Sequence, residues 1–303
     1  MDRIIRCITS DGAIMAAAID STDIVYTAQQ LHKLSAVSSA ALGRLLTASS
    51  LMGVMLKQEN ASITLKINGG GPIGNVVAVS DSHGICRGYV DHPQVELPLR
   101  ADGKLDVGGA VGNTGRLGVI RDLGQGEPYA GQVELVSGEI AEDISSYYAV
   151  SEQVPTVCAL GVLVDRESRQ VLLAGGLLIQ LLPGADEQAI ERLEKNVAVL
   201  EPVTTMLAKG MTVEEICASA LDGFTTETLV VMPVHYGCTC SRERVLRALS
   251  TLAPDEILSL ADEKGYAEAN CHYCGKKYQI SLDELKVLAK NAAGKNQGAA
   301  RKI

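Results

Sequence analysis

The sequence predicts an α+β fold in which a sheet-rich N-terminal core domain, residues 1–182, is followed by a helical connector, 183–233, and a small C-terminal four-cysteine domain, 234–290. Three observations support this prediction. The 303 residues exceed what one core usually supports, the apolar pattern changes from strand-like to helical near residue 183, and four cysteines are grouped in the last seventy residues. The final stretch, 291–303, has no apolar periodicity and is predicted to be a disordered tail.

Apolar segments separated by glycines fill the core domain and predict its strands. These segments are 63–67, 75–79, 131–136, 157–164 and 171–179. The glycine-rich stretch 68–74 lies between the first two, is not followed by Gly-Lys-Ser/Thr, and leads into a strand instead of a helix. It therefore predicts a hairpin turn and not a phosphate-binding loop.

No segment has the pattern of a membrane span or an export signal. The most apolar stretch, 34–56, carries Arg44 and many Ser and Gly residues, which predicts a buried helix of small residues. The N-terminus lacks the charged start, apolar run and cleavage site of a signal peptide. We therefore expect a cytoplasmic protein without a membrane partner, whose eight cysteines serve metal binding or redox chemistry rather than structural disulfides.

Helical spacing of apolar residues predicts the helices of the connector. The positions with this spacing are Ile190, Leu193, Val197, Leu200, Ile216 and Leu221. Pro202 interrupts the pattern, and Thr212 with Glu215 forms a possible capping box for a further helix. Such apolar helix faces must pack against another apolar surface of the folded protein. Two helices that pack only against each other would show the same pattern.

The two cysteine pairs Cys238-Thr-Cys240 and Cys271-His-Tyr-Cys274 are thirty residues apart. Two close pairs separated by a long loop suit tetrahedral Zn²⁺, because each pair supplies two thiolates from one turn. We expect one Zn²⁺ per chain, held by these four cysteines. His235 and His272 lie near the pairs and leave a histidine-containing ligand set open.

Helix and strand signals surround the two pairs. Ser241 and Pro254 predict the starts of two helices between them, and 278–280 followed by a capping box over 281–284 predicts a strand and another helix. The remaining cysteines lie in apolar strand-like runs or on a helix, so we expect them to be structural. They are Cys7, Cys86, Cys158 and Cys217.

The charge distribution disfavours a nucleic-acid partner. Residues 234–303 hold 11 Lys and Arg against 8 Asp and Glu, a surplus of three, so the net charge of −9 leaves −12 on residues 1–233. The larger part would repel nucleic acid, and four thiolates with Zn²⁺ add about −2 to the smaller part.

Three roles for a zinc module remain open at this point: a static structural element, a constitutive ribbon that binds nucleic acid or protein, and a redox sensor. A module of this size obtains only about 3–5 kcal/mol from its core, whereas structural zinc supplies on the order of 10 kcal/mol. Loss of the metal would therefore unfold it. Oxidants can cause that loss, because thiolates in close pairs are readily converted to disulfides.

A thiol–disulfide oxidoreductase is the enzymatic alternative. Such enzymes place C-x-x-C at a helix N-terminus, whereas here 275–280 reads as a turn and a strand. The sequence also shows no nucleophile elbow or other recognisable catalytic signature. We therefore predict a protein that is not an enzyme.

The C-x-C and C-x-x-C pairs at this spacing resemble the thirty-three-kilodalton heat-shock protein family of redox-regulated chaperones. Segments of the core resemble the family in the same order, so the resemblance covers nearly the whole chain. These segments are 39–44, 69–74, 131–134, 151–155, 175–176 and 180–184.

The resemblance implies an ATP-independent holdase that is inactive when reduced and zinc-bound. Oxidation would pair Cys238 with Cys240 and Cys271 with Cys274, release Zn²⁺, unfold the C-terminal domain and loosen the connector. The exposed surface would then bind unfolding client proteins. The family also implies a homodimer formed through the core.

Overall fold

This computed structural model describes the backbone of residues 1–299 and the side chains of residues 1–292. Most of these residues lie in helices or strands. The strands are β1 Arg3–Thr9, β2 Ile14–Asp20, β3 Ser62–Asn68, β4 Val76–Asp81, β5 Cys86–Val90, β6 Arg116–Asp122, β7 Tyr129–Glu134, β8 Thr156–Val164, β9 Val171–Leu181, β10 Thr226–Pro233, β11 Tyr266–Asn270 and β12 Lys277–Ser281. The helices are α1 Thr22–His32, α2 Ala36–Gly53, α3 Val107–Val111, α4 Ala141–Tyr147, α5 Glu187–Val199, α6 Val203–Ala208, α7 Val213–Ala220, α8 Arg242–Leu249, α9 Pro254–Ser259 and α10 Leu282–Ala299, with a π-helical turn, Tyr148–Glu152, after α4. The chain divides into two compact units, Met1–Gly237 and a second that begins at Cys238.

The first unit contains two antiparallel five-stranded sheets. Their spatial orders are β10-β1-β2-β9-β8 in the first sheet and β5-β4-β3-β6-β7 in the second. Each of the five predicted strand segments coincides with a strand of these sheets, at β3, β4, β7, β8 and β9. The prediction of an α+β fold with a sheet-rich core is confirmed.

Helix α2 lies between the two sheets and forms the centre of the core. It packs against β8 and β9 of one sheet and against β3, β4 and β5 of the other, and all of its residues except Arg44 are buried. Small residues allow this close approach: a side chain at Gly43 would place Cβ 2.6 Å from Val25 Cγ1. The buried small-residue helix predicted from 34–56 is therefore confirmed. Across residues 1–299, no helix combines the length and apolar character needed to cross a bilayer.

The glycine-rich stretch 68–74 joins the antiparallel strands β3 and β4, as predicted for a hairpin turn. Its glycines are required by close backbone packing. A Cβ at Gly69 would lie 2.0 Å from the carbonyl oxygen of Gly112, and one at Gly71 would lie 2.3 Å from that of Ala110. Steric fit between loops accounts for these two glycines.

The connector differs from its prediction at its C-terminal end. Helices α5, α6 and α7 occupy its first part, but 226–233 forms strand β10, which pairs antiparallel with β1 at the edge of the first sheet. This segment, Thr-Glu-Thr-Leu-Val-Val-Met-Pro, is rich in β-branched residues, which favour strands. The prediction of a wholly helical connector is wrong here, because the strand needs a partner more than 200 residues away in the sequence.

The boundary of the C-terminal unit also lies later than predicted. Residues 234–237 belong to the first unit, where Val234 is buried. Cys86 N–H donates to the His235 carbonyl at 3.2 Å, and Gly237 N–H donates to the Cys86 carbonyl at 2.9 Å. These bonds attach the chain to the edge of the second sheet, so the C-terminal unit begins at Cys238 instead of residue 234.

The C-terminal helix extends into the predicted tail. Helix α10 continues to Ala299, so the described part of 291–303 is helical and not disordered; residues 300–303 lie outside the described residues. Once a helix is started, each further residue adds a hydrogen bond without a new nucleation cost. The Ala, Lys and Gln residues in this stretch also favour helix.

Candidate functional site

The second cysteine pair lies at the tip of a β-hairpin. Strands β11 and β12 pair antiparallel, and Cys271-His-Tyr-Cys274 connects them. Cys271 N–H donates to the Lys276 carbonyl at 2.9 Å, and Gly275 N–H donates to the Cys271 carbonyl at 2.8 Å. Gly275 has a φ of +68°, a conformation that glycine adopts without strain. This turn directs both thiols to one side of the hairpin.

The first pair, Cys238-Thr-Cys240, lies in an irregular segment directly before α8. Ser241 caps this helix, accepting a hydrogen bond from Arg244 N–H at 3.2 Å, as the sequence predicts. Pro254 opens α9 as predicted, and Ser281 with Glu284 forms the expected capping box of α10.

The four cysteines of the two pairs form one cluster. All four Sγ atoms lie within 4.8 Å of one another, with 3.6 Å between Cys238 and Cys271 and 3.4 Å between Cys240 and Cys274. Sulfur ligands of a tetrahedral ion with bonds of about 2.3 Å lie about 3.8 Å apart, whereas disulfide-bonded sulfurs lie about 2.05 Å apart. The cluster consists of free thiols at a spacing that could hold a metal ion, and an all-sulfur donor set fits Zn²⁺ better than a hard cation.

Neither histidine of the alternative ligand set is a member of this cluster. Within the part of the chain that the structure describes, the group consists of cysteines only. His272, between Cys271 and Cys274, is exposed, and His235 belongs to the first unit.

Tyr278 hydrogen-bonds to the cluster, a contact that the sequence analysis did not identify. Its hydroxyl donates to Cys240 Sγ at 3.1 Å. Burial alone would raise the pKa of Cys240, but hydrogen bonds from Tyr278 and from the other three thiols lower that pKa to about 7. Burial and neighbouring thiols raise the pKa of Cys238 to about 12. Of these two thiols, Cys240 is the one whose surroundings favour the thiolate.

Replacing Tyr278 with phenylalanine should weaken metal binding about tenfold, the lower end of the effect typical for hydrogen bonds to metal ligands. Competition with a chromophoric chelator measures the affinity of the reduced protein for Zn²⁺. Tyr266→Phe is the matched control, because Tyr266 is a largely exposed tyrosine in the same unit. Equal affinities for the two variants would show that the Tyr278 hydroxyl does not support the cluster.

The unit that carries the cluster has a small apolar core. The buried apolar side chains, among the described ones, are Ile257, Ala267, Tyr278, Ile280, Leu285, Ala289 and Ala292. Helix α8 contributes no fully buried residue. A core of these seven side chains, three of them alanine, supplies little free energy of folding. The stability of the unit therefore depends on the bonds that link the four sulfurs.

One ion pair attaches the start of α8 to the rest of this unit. Arg242 donates to Glu284 Oε1 at 2.6 Å and to the Gln279 carbonyl at 2.7 Å. The Arg242 guanidinium, together with hydrogen bonds from Ser281, lowers the pKa of Glu284 to about 2. Because exposed ion pairs contribute little, this contact orients α8 but cannot replace the cluster as the source of stability.

The connector covers an apolar face of the first sheet in the other unit. Sheet and connector share one cluster of buried residues. The sheet contributes Ile5, Cys7, Ile14, Ala16, Ala18, Leu177 and Ile179, and the connector contributes Leu193, Val203, Met206, Val213, Ile216, Cys217, Ala220 and Leu221. Thr212 and Glu215 form the predicted capping box of α7. Helices α6 and α7 pack on the sheet, whereas α5 packs on α7. Of the positions predicted from helical spacing, Ile190 is not part of this cluster.

The cysteines expected to be structural lie in the first unit. Burial raises the pKa of Cys158 to about 12, and it also raises the pKa of Cys86, so both thiols stay protonated at neutral pH. Cys7 on β1 and Cys217 on α7 are neighbours, which the sequence analysis did not foresee.

Comparisons with known proteins agree on one family. The model of a family described as Hsp33 protein matches residues 2–281. Proteins named 33 kDa chaperonin from Acetivibrio thermocellus and Bacillus licheniformis are 48% and 45% identical, each over 95% of this chain and over 97% and 99% of the relative. The crystal structure of the 33 kDa chaperonin (Heat shock protein 33 homolog) from Thermotoga maritima matches with a TM-score of 0.86 at 35% identity, covering 96% of this chain and 99% of that one. The similarity extends across both units.

Proposed function

Because this chain belongs to the Hsp33 family of chaperones, we propose that it is a redox-regulated, ATP-independent holdase whose four-cysteine cluster is the switch. In this proposal the reduced, zinc-bound form is inactive, and the oxidised, zinc-free form binds unfolding proteins and prevents their aggregation. The group of four thiols within 4.8 Å carries the proposal. The relatives are named as chaperonins, so the chain is a chaperone and not an enzyme.

The proposed ligands of Zn²⁺ are Cys238, Cys240, Cys271 and Cys274. When bound, the ion supplies on the order of 10 kcal/mol of folding free energy to a unit whose own core is small. The residues of the unit hold two sulfurs on the hairpin turn and two on the segment before α8, and Tyr278 supports Cys240 with a hydrogen bond.

Oxidation would remove these ligands by forming two disulfides. A thiolate attacks hydrogen peroxide to give a sulfenic acid, a neighbouring thiol displaces water from it, and each disulfide thus consumes one peroxide and releases two waters. The sulfurs are then no longer thiolates and cannot ligate a metal. We propose that the ion is lost and the unit unfolds.

The pairing of the disulfides decides whether the unit can open. Sulfur separations of 3.6 Å and 3.4 Å join Cys238 to Cys271 and Cys240 to Cys274, and disulfides between those residues would close the fold. We propose the pairs Cys238–Cys240 and Cys271–Cys274 instead. Their partners stay close in sequence when the unit opens, so only these pairs leave the thirty-residue loop between them free.

Unfolding of the unit that begins at Cys238 would destabilise the connector through β10. This strand is an edge strand, most of its side chains are exposed, and only the short attachment of 234–237 separates it from Cys238. Elements with few buried contacts open first. We propose that residues 183–233 loosen when the C-terminal unit unfolds.

The surface exposed by this loosening would bind clients. Departure of the connector uncovers Ile5, Ile14, Leu177 and Ile179, each buried at 3% exposure or less in the closed form. Large contiguous apolar surfaces of this kind bind other proteins. We propose that unfolding or oxidatively damaged proteins are the partners of this face.

The resemblance also leads us to propose a homodimer as the active form and the cytoplasm as its location. A reducing compartment suits a protein in which all eight cysteines are free thiols. Sedimentation of the oxidised and reduced forms tests the dimer.

Light scattering from an aggregating client tests the function. A chemically unfolded protein is diluted into buffer containing this protein, either reduced with Zn²⁺ or treated with peroxide under mildly unfolding warmth. We expect only the oxidised form to suppress scattering, and we expect reductant with Zn²⁺ to reverse the effect. Suppression by the reduced form alone, or by neither form, would overturn the proposal and favour a constitutive zinc-binding module.

A further inference from the structure

The interface between connector and sheet contains two cysteines that the proposed switch does not use. Cys7 on β1 is 4% exposed and Cys217 on α7 is 3% exposed. Both are free thiols in the same apolar cluster, one contributed by the sheet and the other by the connector.

The register of α7 against β1 brings the two thiols together. Arg3, Ile5 and Cys7 alternate onto the same face of β1, the face covered by the connector. Glu214 and Cys217, three residues apart on α7, are neighbours on the helix surface. Arg3 forms an ion pair with Glu214. This ion pair and the two cysteines therefore lie next to each other where α7 packs on β1.

The ionisation of the pair agrees with direct contact. A hydrogen bond from the Cys217 thiol lowers the pKa of Cys7, although burial acts in the opposite direction. The Cys7 thiol and burial raise the pKa of Cys217. Of the two sulfurs, Cys7 is therefore the better nucleophile.

We propose that Cys7 and Cys217 are a second redox site, at which a hydroperoxide forms a disulfide that fastens the connector to the sheet. The Cys7 thiolate attacks the peroxide, breaks its O–O bond and becomes a sulfenic acid. The Cys217 sulfur then displaces the hydroxyl as water. Two thiols and one hydrogen peroxide yield one disulfide and two waters, with each sulfur oxidised by one electron.

This disulfide would hold the connector in place, whereas oxidation of the four-cysteine cluster would release it. This contrast rests on the proposed function. The disulfide forms only while α7 is docked, and it then keeps α7 on β1. The cysteines of the cluster are all partly exposed, whereas Cys7 and Cys217 are buried, so the cluster reacts first. Molecules whose connector stays docked during prolonged oxidation become locked in the closed form.

Peptide mapping tests the disulfide. The full-length protein is oxidised with hydrogen peroxide without warming, so that the connector stays docked. It is then alkylated and cleaved with trypsin and a Glu-specific protease without reduction. Cys7 then lies in peptide 7–33 and Cys217 in peptide 216–227, which contains neither Cys238 nor Cys240. We expect these two peptides to be linked in wild type and in Cys86→Ala, and unlinked in Cys7→Ala. Absence of the linked peptide after prolonged oxidation, in protein whose α7 amides stay protected from exchange throughout, would overturn the proposal.

Hydrogen exchange tests whether the disulfide holds the connector. In mild urea, which opens α7 independently of the cluster, we expect α7 amides of the linked protein to exchange at least tenfold more slowly than those of oxidised Cys7→Ala. Cys86→Ala, which removes another buried thiol, should behave like wild type. Equal exchange in linked protein and Cys7→Ala would overturn the holding role. Failure of the proposed function would appear separately, as oxidised Cys7→Ala that does not suppress client aggregation.

Discussion

Replacement of Cys271 with serine is expected to unfold the unit that begins at Cys238 while the two sheets of the first unit stay folded. The variant lacks one of the four proposed sulfur ligands of Zn²⁺, and structural zinc contributes about 10–16 kcal/mol in small domains. The buried apolar side chains that the structure describes in this unit are seven, three of them alanine, and cannot compensate for such a loss.

The effect of Cys271→Ser can be measured in the reduced protein in the presence of Zn²⁺. Backbone amide spectra should lose dispersion for residues 241–290, and trypsin should cleave there first. Cys158→Ala is the control, because it removes a thiol outside the cluster. Unchanged spectra for the C-terminal unit of Cys271→Ser would show that the cluster does not hold the unit together.

Replacement of Ile216 with aspartate is expected to release the connector without any oxidation. Ile216 is fully buried against the sheet, and an unpaired carboxylate at such a site costs several kcal/mol. The connector helices of 13, 6 and 8 residues are too short to be stable away from the sheet. The reduced variant should therefore expose the apolar face and suppress client aggregation.

Ser219→Asp is the matched control, because Ser219 is an exposed residue of the same helix. Binding of a hydrophobic dye and light scattering should separate the two variants, both reduced and both with Zn²⁺. If Ile216→Asp shows fast amide exchange in α7 but no client binding, the face beneath the connector is not the client-binding surface.

Much of the architecture could be predicted because its signals are local. The capping pair Thr212 and Glu215, the glycines between β3 and β4, and the small residues of α2 each specify structure within a few positions. The two cysteine pairs could likewise be grouped from spacing alone. The structure brings the same four sulfurs together.

The features that the sequence did not reveal depend on distant partners. Strand β10 exists because β1 offers an edge on which to pair. Tyr278 reads as an ordinary strand residue until the hairpin places its hydroxyl beside Cys240. Cys7 and Cys217 are close because α7 packs on β1, and no sequence pattern near either cysteine indicates that packing.

The central claim is that oxidation of the four-cysteine cluster switches the chaperone on. Its most direct test is a time course of peroxide treatment in which released Zn²⁺ and suppression of client aggregation are recorded in the same samples. The account predicts that one Zn²⁺ per chain is released and that activity appears with it or after it, never before. Activity that appears while Zn²⁺ is still bound, or complete release without activity, would contradict the account.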